Sequence, residues 1–251
     1  MRRLYTILYA LGFVLLSPVF LYKMWKRGKY RENFLHRFGR YAPELRQRLA
    51  TKTKPRCWIQ AVSVGEVNLA LLLIRHLPKY DIVLTTTTST GYALARERLP
   101  AGVPLVYFPQ DFPGPVRRAY DLIQPDFIIL MESEIWPNHV WEAARRGVKL
   151  FLVNARMSPR SARRQEDARW LFRHVFDKFT LVCAQSEEDA ANFRKFGAPR
   201  VEMTGNLKYD ASLPQPGRAT VDPRQVLRDL GVTGPVLFHP DTARQIGRAH
   251  V

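Results

Sequence analysis

Along this chain, short runs of apolar residues alternate with longer stretches in which apolar positions recur at helical spacing. The runs are rich in Val, Ile and Leu and fall at 57–62, 81–86, 104–108, 127–131, 149–153, 181–184 and 201–204. Their length and continuous apolar character predict strands buried on both faces. The intervening stretches at 66–78, 90–98, 114–123, 138–146, 160–176 and 187–196 predict helices. Strand and helix in strict alternation imply an α/β fold, a Rossmann-like, doubly wound parallel sheet covered by helices on both sides. In that architecture ligands sit at the carboxyl ends of the strands. The loops to inspect are therefore 63–66, 87–91, 109–113, 132–137, 154–158 and 205–210.

Ahead of the alternation lies a different texture. Residues 5–22 carry no charge; at about 1.5 Å per residue they would span about 27 Å, close to the ~30 Å core of a bilayer. Arg2 and Arg3 precede this run, and Lys23, Lys26, Arg27, Lys29 and Arg31 follow it. No small-residue cleavage site follows, so residues 1–22 are expected to form an uncleaved membrane-anchor helix, spanning or interfacial. The heavier positive flank places the remainder on the cytoplasmic side. The basic segment 23–56 interleaves Trp25, Tyr30, Phe34, Leu35 and Phe38 with cations, a pattern suited to an anionic membrane surface or to a solvated helical hairpin.

Past the alternating region, 57–212, the sequence Leu-Pro-Gln-Pro-Gly at 213–217 resembles a linker, and 235–238 begins another strand. The stretch 213–244 is expected to open a second domain. Residues 245–251 match a translated sequencing adapter and are set apart from the fold.

The formal net charge of +17 calls for a polyanionic partner: nucleic acid, an anionic bilayer or a phosphorylated substrate. A nucleic-acid binder would gather its cations with stacking aromatics on one folded face, whereas here much of the excess follows the apolar N-terminal run. No nucleic acid is expected. Cys57 and Cys183 are scattered thiols on expected strands, with neither a disulfide framework nor zinc spacing. They fit a reducing compartment. The histidines show no ligand spacing, and the chain has no Walker loop, GxGxxG, HExxH or GxSxG motif. No metal and no resident cofactor are expected.

Chemistry concentrates at strand ends. Ser63-Val64-Gly65-Glu66 ends the first strand and admits two readings. Ser63 and Glu66 can form a capping box; or Glu66 faces the ligand cleft, with Gly65 allowing close approach, and takes a proton from a sugar hydroxyl. Glu132-Ser133-Glu134-Ile135-Trp136-Pro137 ends the fourth strand with two carboxylates that are costly to bury unpaired. The stretch TTTTSTG at 85–91, including Thr90, is either an N-cap or a phosphate-binding turn. Arg156 and Lys208, in loops after the fifth and seventh strands, are candidate phosphate ligands or rim charges.

In order, SVGE, TTTTSTG, ESEIWPN, NARMS, AQSEED and FGAPRVEMTGNLKYD closely resemble the 3-deoxy-D-manno-octulosonic acid (Kdo) transferases of Gram-negative bacteria, from about residue 4 to residue 212. The resemblance implies a two-domain, inverting glycosyltransferase of the GT-B type at the inner membrane. Its N-terminal domain would hold the lipid A precursor (lipid IVA), and its C-terminal domain the donor, CMP-Kdo. The bond would form to the acceptor's 6′-hydroxyl. Glu66 then stands at the family's general base and Glu132 in the active cleft, with Ser63, Gly65, Thr90, Arg156 and Lys208 around the substrate. Two departures bear on acceptor geometry: Gln60 stands where many relatives carry His, and His36 where an acidic residue is frequent. A third is His239-Pro-Asp-Thr-Ala, where a donor loop is expected. The polypeptide is therefore expected to lack most of the donor domain and to be inactive alone. Two other readings remain at this level: a membrane-associated GT-B enzyme with another donor, and a non-catalytic lipid A-binding fragment.

Overall fold

The computed structural model describes residues 1–27 and 33–210. Part of the basic segment, the expected linker and second-domain start, the departure at His239 and residues 245–251 lie outside the described residues. The described part belongs to one compact unit, Met1–Ala211.

Seven parallel strands form one sheet: β1 (Arg56–Gln60), β2 (Asp81–Thr86), β3 (Leu105–Tyr107), β4 (Phe127–Met131), β5 (Lys149–Ala155), β6 (Leu181–Ala184) and β7 (Val201–Met203). Their order, β3-β2-β1-β4-β5-β6-β7, reverses between β1 and β4. At such a switch point the crossover helices leave on opposite faces, which opens a crevice at the strands' carboxyl ends.

Side-chain alternation explains the two faces. Trp58, Val83, Val106, Ile128, Leu130, Leu150 and Leu152 point into one core with α5 (Pro113–Ile123), α6 (Pro137–Arg146), α8 (Arg169–Phe176) and α9 (Glu187–Lys195). Cys57, Ile59, Ile82, Leu84, Ile129 and Met131 point into the other, against α3 (Val64–Arg75) and α4 (Ser89–Arg98). The doubly wound expectation therefore holds, and each expected strand is present to within two residues of its bounds.

Three expectations need correction or refinement. The helix expected over 160–176 is two, α7 (Pro159–Asp167) and α8, separated at Ala168, whose φ of −111° and ψ of 27° leave helical geometry. The polar α7 sets only Ala162 against the core, whereas α8 turns to insert Val175 and Phe176 into it. The basic segment contains a 3₁₀ turn at Phe34–Phe38 and α2 (Pro43–Ala50), which packs on α5. Third, the N-terminal run does form a helix, α1 (Arg2–Arg27), but among the described residues no helix is long and apolar enough to cross a membrane. One face of α1 is committed to the domain. Arg2 reaches Asn138 Oδ1 (3.1 Å) and Glu142 Oε2 (3.3 Å), the Tyr5 hydroxyl donates to Asp111 (2.8 Å) and the Tyr9 hydroxyl to Gln110 (2.8 Å). Tyr5 also meets Trp141 edge-on. A helix held along one side by polar bonds cannot be surrounded by lipid. Its other side exposes Leu8, Leu11, Val14 and Leu15.

Candidate functional site

The loops after β1 and β4 flank the switch point, and they carry the carboxylates. Ser63 caps α3: its Oγ accepts the Glu66 N–H (3.3 Å) and donates to Glu66 Oε1 (2.9 Å). Glu66 Oε2 accepts the Val62 N–H (2.9 Å). The side chain is buried, with 7% of the residue exposed. The capping reading is met: the carboxylate secures the strand-to-helix turn at the carboxyl end of β1. Two hydrogen bonds leave lone pairs on each oxygen for a further partner. Burial raises the Glu66 carboxyl above its ordinary range, against the Val62 and Ser63 donors, and the charge of Glu132 raises it further.

Gly65 is exposed, and a Cβ there would meet only Ser63 Oγ at 3.8 Å. Nothing in the protein requires glycine at this position, so the bare backbone leaves room on the outer side. Gly91 is the opposite case. A Cβ there would lie 2.7 Å from Thr86 Oγ1 and 2.9 Å from Thr88 Oγ1, so glycine is needed for α4 to close on the β1–α3 turn.

Across the switch point, Glu132 leaves β4 with φ of 54°, a left-handed backbone that is costly for glutamate. The turn is held by the Glu132 N–H to Val153 O (2.9 Å) and by the Arg156 N–H to Glu132 O (3.4 Å). Glu132 Oε1 pairs with Lys208 Nζ at 3.3 Å. The structure thus brings Lys208 to Glu132, while Arg156 is exposed. Glu134, which the candidate set omits, is the more perturbed acid. Burial pushes it up to about 7 against the donating Trp136 indole, with the charges of Glu66 and Glu132 adding to the rise. The ExE spacing was the signal for it. Glu66, Glu132 and Glu134 thus form one electrostatically coupled group.

The hydroxyl-rich turn is used mostly for construction. Thr88 and Thr86 donate to Val62 O (2.7 and 3.3 Å), and Thr85 bonds Gln60 Oε1 (2.6 Å). Gln60 in turn donates to Thr87 Oγ1 (3.0 Å). Thr90 is exposed at the start of α4, with its Oγ1 3.5 Å from that of Thr88. The other departure, His36, is buried, and burial lowers it to about 4.

Sequence reasoning also missed two polar residues that set the loops. Asp111 is fully buried and caps α6 from another loop, accepting the Asn138 N–H at Oδ2 (3.1 Å) and the His139 N–H at Oδ1 (3.0 Å). Asn154, at the end of β5 with φ of 57°, accepts the Leu207 N–H (3.0 Å) and so ties the Gly205–Lys208 loop to the cleft edge. No group of His, Cys, Asp or Glu among the described residues has a metal-binding arrangement.

A family profile described as 3-deoxy-D-manno-octulosonic-acid transferase (kdotransferase) matches residues 32–211. The chain belongs to this family. It is 34% identical over 222 residues to a 3-deoxy-D-manno-octulosonic acid transferase of Bordetella pertussis, covering 82% of this chain and 50% of the relative. To the protein of the same description from Haemophilus influenzae it is 32% identical, over 74% of this chain and 44% of the relative. The chain therefore spans about half the length of the curated relatives it matches. Among solved structures, a putative UDP-N-acetylglucosamine 2-epimerase from Listeria monocytogenes aligns at a TM-score of 0.47 and 13% identity, over 71% of this chain and 52% of that one. A likeness at that level carries no argument about chemistry.

Proposed function

We propose that this chain is the acceptor-binding half of a GT-B glycosyltransferase that moves Kdo from CMP-Kdo to the 6′-hydroxyl of the lipid A precursor, with inversion. The observation that carries the reading is the meeting of Glu66 with Glu132 and Glu134 at the switch point, the ligand crevice of this topology.

A sugar hydroxyl is a weak nucleophile until a base accepts its proton as the new bond forms. Glu66 is held by two donors, and its burial makes it a stronger base than a solvated carboxylate. The open backbone at Gly65 lets the acceptor ring approach it. Lys208 and Arg156 edge the crevice, where phosphates on the acceptor would lie. Glu132, paired with Lys208, stands across the switch point, and its charge raises the proton affinity of Glu66 as a base. The CMP-Kdo donor is held by the second domain of the GT-B architecture, and departing CMP leaves as a stabilised phosphate anion. The protein needs no metal or resident cofactor for this chemistry. The exposed aliphatic side of α1, with a net charge of +17, fits attachment to an anionic inner-membrane surface, with the domain in the cytoplasm.

Glu66→Gln in the full-length enzyme tests the assignment. The amide keeps an oxygen for the Val62 N–H, so the turn persists while the base is lost. Turnover with CMP-Kdo and lipid IVA is expected to fall about 10²- to 10⁴-fold, with the thermal midpoint unchanged. Near-wild-type turnover would remove Glu66 as the base.

A further inference from the structure

Between α1 and the body of the domain lies a groove of about 560 Å³. Gly12, Phe13 and Leu16 of α1 form one wall, and Phe38 and Trp136 the other. Its polar lining is confined to a few groups, chiefly Gln110, which accepts the Tyr9 hydroxyl, and Arg37, which donates to Thr87 O (2.6 Å) and stacks on Tyr107. These two groups mark the end of the groove beside the β2–α4 turn. Trp136 is shared with the switch-point site, since its indole donates to Glu134 (2.8 Å).

This lining selects against a sugar or a nucleotide, which would bring many hydrogen-bonding groups to a wall that satisfies few. The volume equals that of roughly 19 water molecules at about 30 Å³ each, which is the scale of one long acyl chain. Continuity points the same way. The helix that supplies Phe13 and Leu16 to the groove exposes Leu8, Leu11 and Leu15 on its outer side. A chain leaving an apolar phase at that outer surface reaches the groove along α1. Gly12 adds a further sign. It sits in mid-helix, where glycine weakens a helix relative to alanine, yet a Cβ there would meet nothing within 4 Å. Packing does not explain this glycine, and a large side chain at this position would project into the open space of the groove.

We propose that the groove between α1 and the domain takes one acyl chain of the lipid acceptor, with the acceptor's head directed past Trp136 toward the switch-point carboxylates. This rests on reading that crevice as an acceptor site. The chain acts as a positioning element, since burying methylenes along α1 fixes how far the sugar reaches toward Glu66.

The test uses the 251-residue chain and monoacyl phosphatidates below their micellar concentrations, with chains of about 8 to 14 carbons. Affinity by titration calorimetry is expected to tighten roughly fourfold per added methylene and then to level off once the groove is filled. A phosphatidate with a diazirine at the chain end is expected to label Phe13, Leu16, Phe38 or Trp136. Gly12→Phe should fill the groove and weaken binding of the longest chain at least about tenfold, while Gly12→Ala leaves it intact. Matching far-ultraviolet circular dichroism and melting curves would show that both variants fold. Labels confined to Leu8, Leu11 and Leu15, with no effect of Gly12→Phe, would overturn the proposal, as would affinity independent of chain length. In the full-length enzyme, Gly12→Phe should raise KM for the acylated acceptor and spare the deacylated disaccharide. Turnover that depends on Glu66 with no groove labelling removes the groove alone. Groove labelling with turnover independent of Glu66 removes the transfer chemistry and leaves a lipid site.

Discussion

Asp111 sets two physical effects against each other, and a single substitution shows which prevails. Its carboxyl is fully buried and accepts from the Tyr5 hydroxyl and from two backbone N–H groups that open α6. Burial pushes it from 3.8 up to about 7, while those donors and the charge of Arg2 favour ionisation. If burial wins, the folded state holds a proton that the unfolded state has already lost between pH about 4 and about 7, so this group's contribution to stability falls as pH rises. Three units at about 1.4 kcal/mol each amount to roughly 4 kcal/mol. Asp111→Asn removes the titration. The variant's amide must turn an N–H toward one of the present donors, which costs it about 1–3 kcal/mol at low pH.

The uncorrected wild-type curve would hide the effect. His139 is lowered from 6.5 to about 3 by burial, so it gives stability that is lost as pH falls through that range, the opposite slope. Both proteins contain His139, so the difference between them isolates Asp111. Urea unfolding of each, followed by circular dichroism at pH about 4.5, 5.5, 6.5 and 7.5, is expected to show wild type losing about 1.4 kcal/mol per pH unit relative to Asp111→Asn. Wild type gaining on the variant as pH rises would mean that the backbone donors, not desolvation, set this carboxyl.

Three further outcomes bear on the site. Because the charge of Glu132 raises Glu66, Glu132→Gln should move the acid limb of the full-length enzyme's pH–kcat/KM profile downward; an upward shift would uncouple the two. Gly91→Ala, with its Cβ 2.7 Å from Thr86 Oγ1, should destabilise by about 1–3 kcal/mol in urea unfolding, whereas Gly65→Ala should leave stability unchanged and raise KM for the acceptor. Equal effects on stability would contradict the assignment of Gly65 to ligand approach. Glu132→Gly relieves a left-handed glutamate, a strain of about 1–3 kcal/mol. It gives up only a partly exposed pair with Lys208 of about 0–1 kcal/mol, so the variant should be no less stable than wild type while losing turnover. A clear loss of stability would show that the pair outweighs the strain.

Much of the fold was legible because its signals are local. Strands such as Ile82–Leu84 and Ile128–Leu130 are buried on both faces and read as unbroken apolar runs, and their alternation with helices specifies the winding. What escaped reading depends on partners distant in sequence. Asp111 caps a helix 26 residues further on at Pro137, and no spacing rule connects them. Tyr5 and Tyr9 sit in an uncharged run that fits a bilayer, yet their hydroxyls bond Asp111 and Gln110, which turns an expected free-standing anchor into a docked helix. The threonines of TTTTSTG suit a phosphate, and most instead hold the Val62 and Gln60 end of β1. Ala168 offers no proline or glycine to announce the break between α7 and α8.

The site itself was legible in part, and the division has a physical cause. Glu66 and Glu132 stand out as acids at strand ends, costly to bury without a use, but only the family resemblance separates an active-site reading from helix capping. The backbone that presents them does not stand out. Glu132 and Asn154 end neighbouring strands, β4 and β5, with φ of 54° and 57°, and neither is glycine. Two left-handed turns side by side are held only because the surroundings over-determine them: Val153 O takes the Glu132 N–H, and the Asn154 amide holds Leu207. At these positions Lys208 pairs with Glu132, and Glu132 lies within electrostatic reach of Glu66. The backbone strain and the coupling to Glu66 thus meet in Glu132, and a variant such as Glu132→Gly that removes the first should also remove the second.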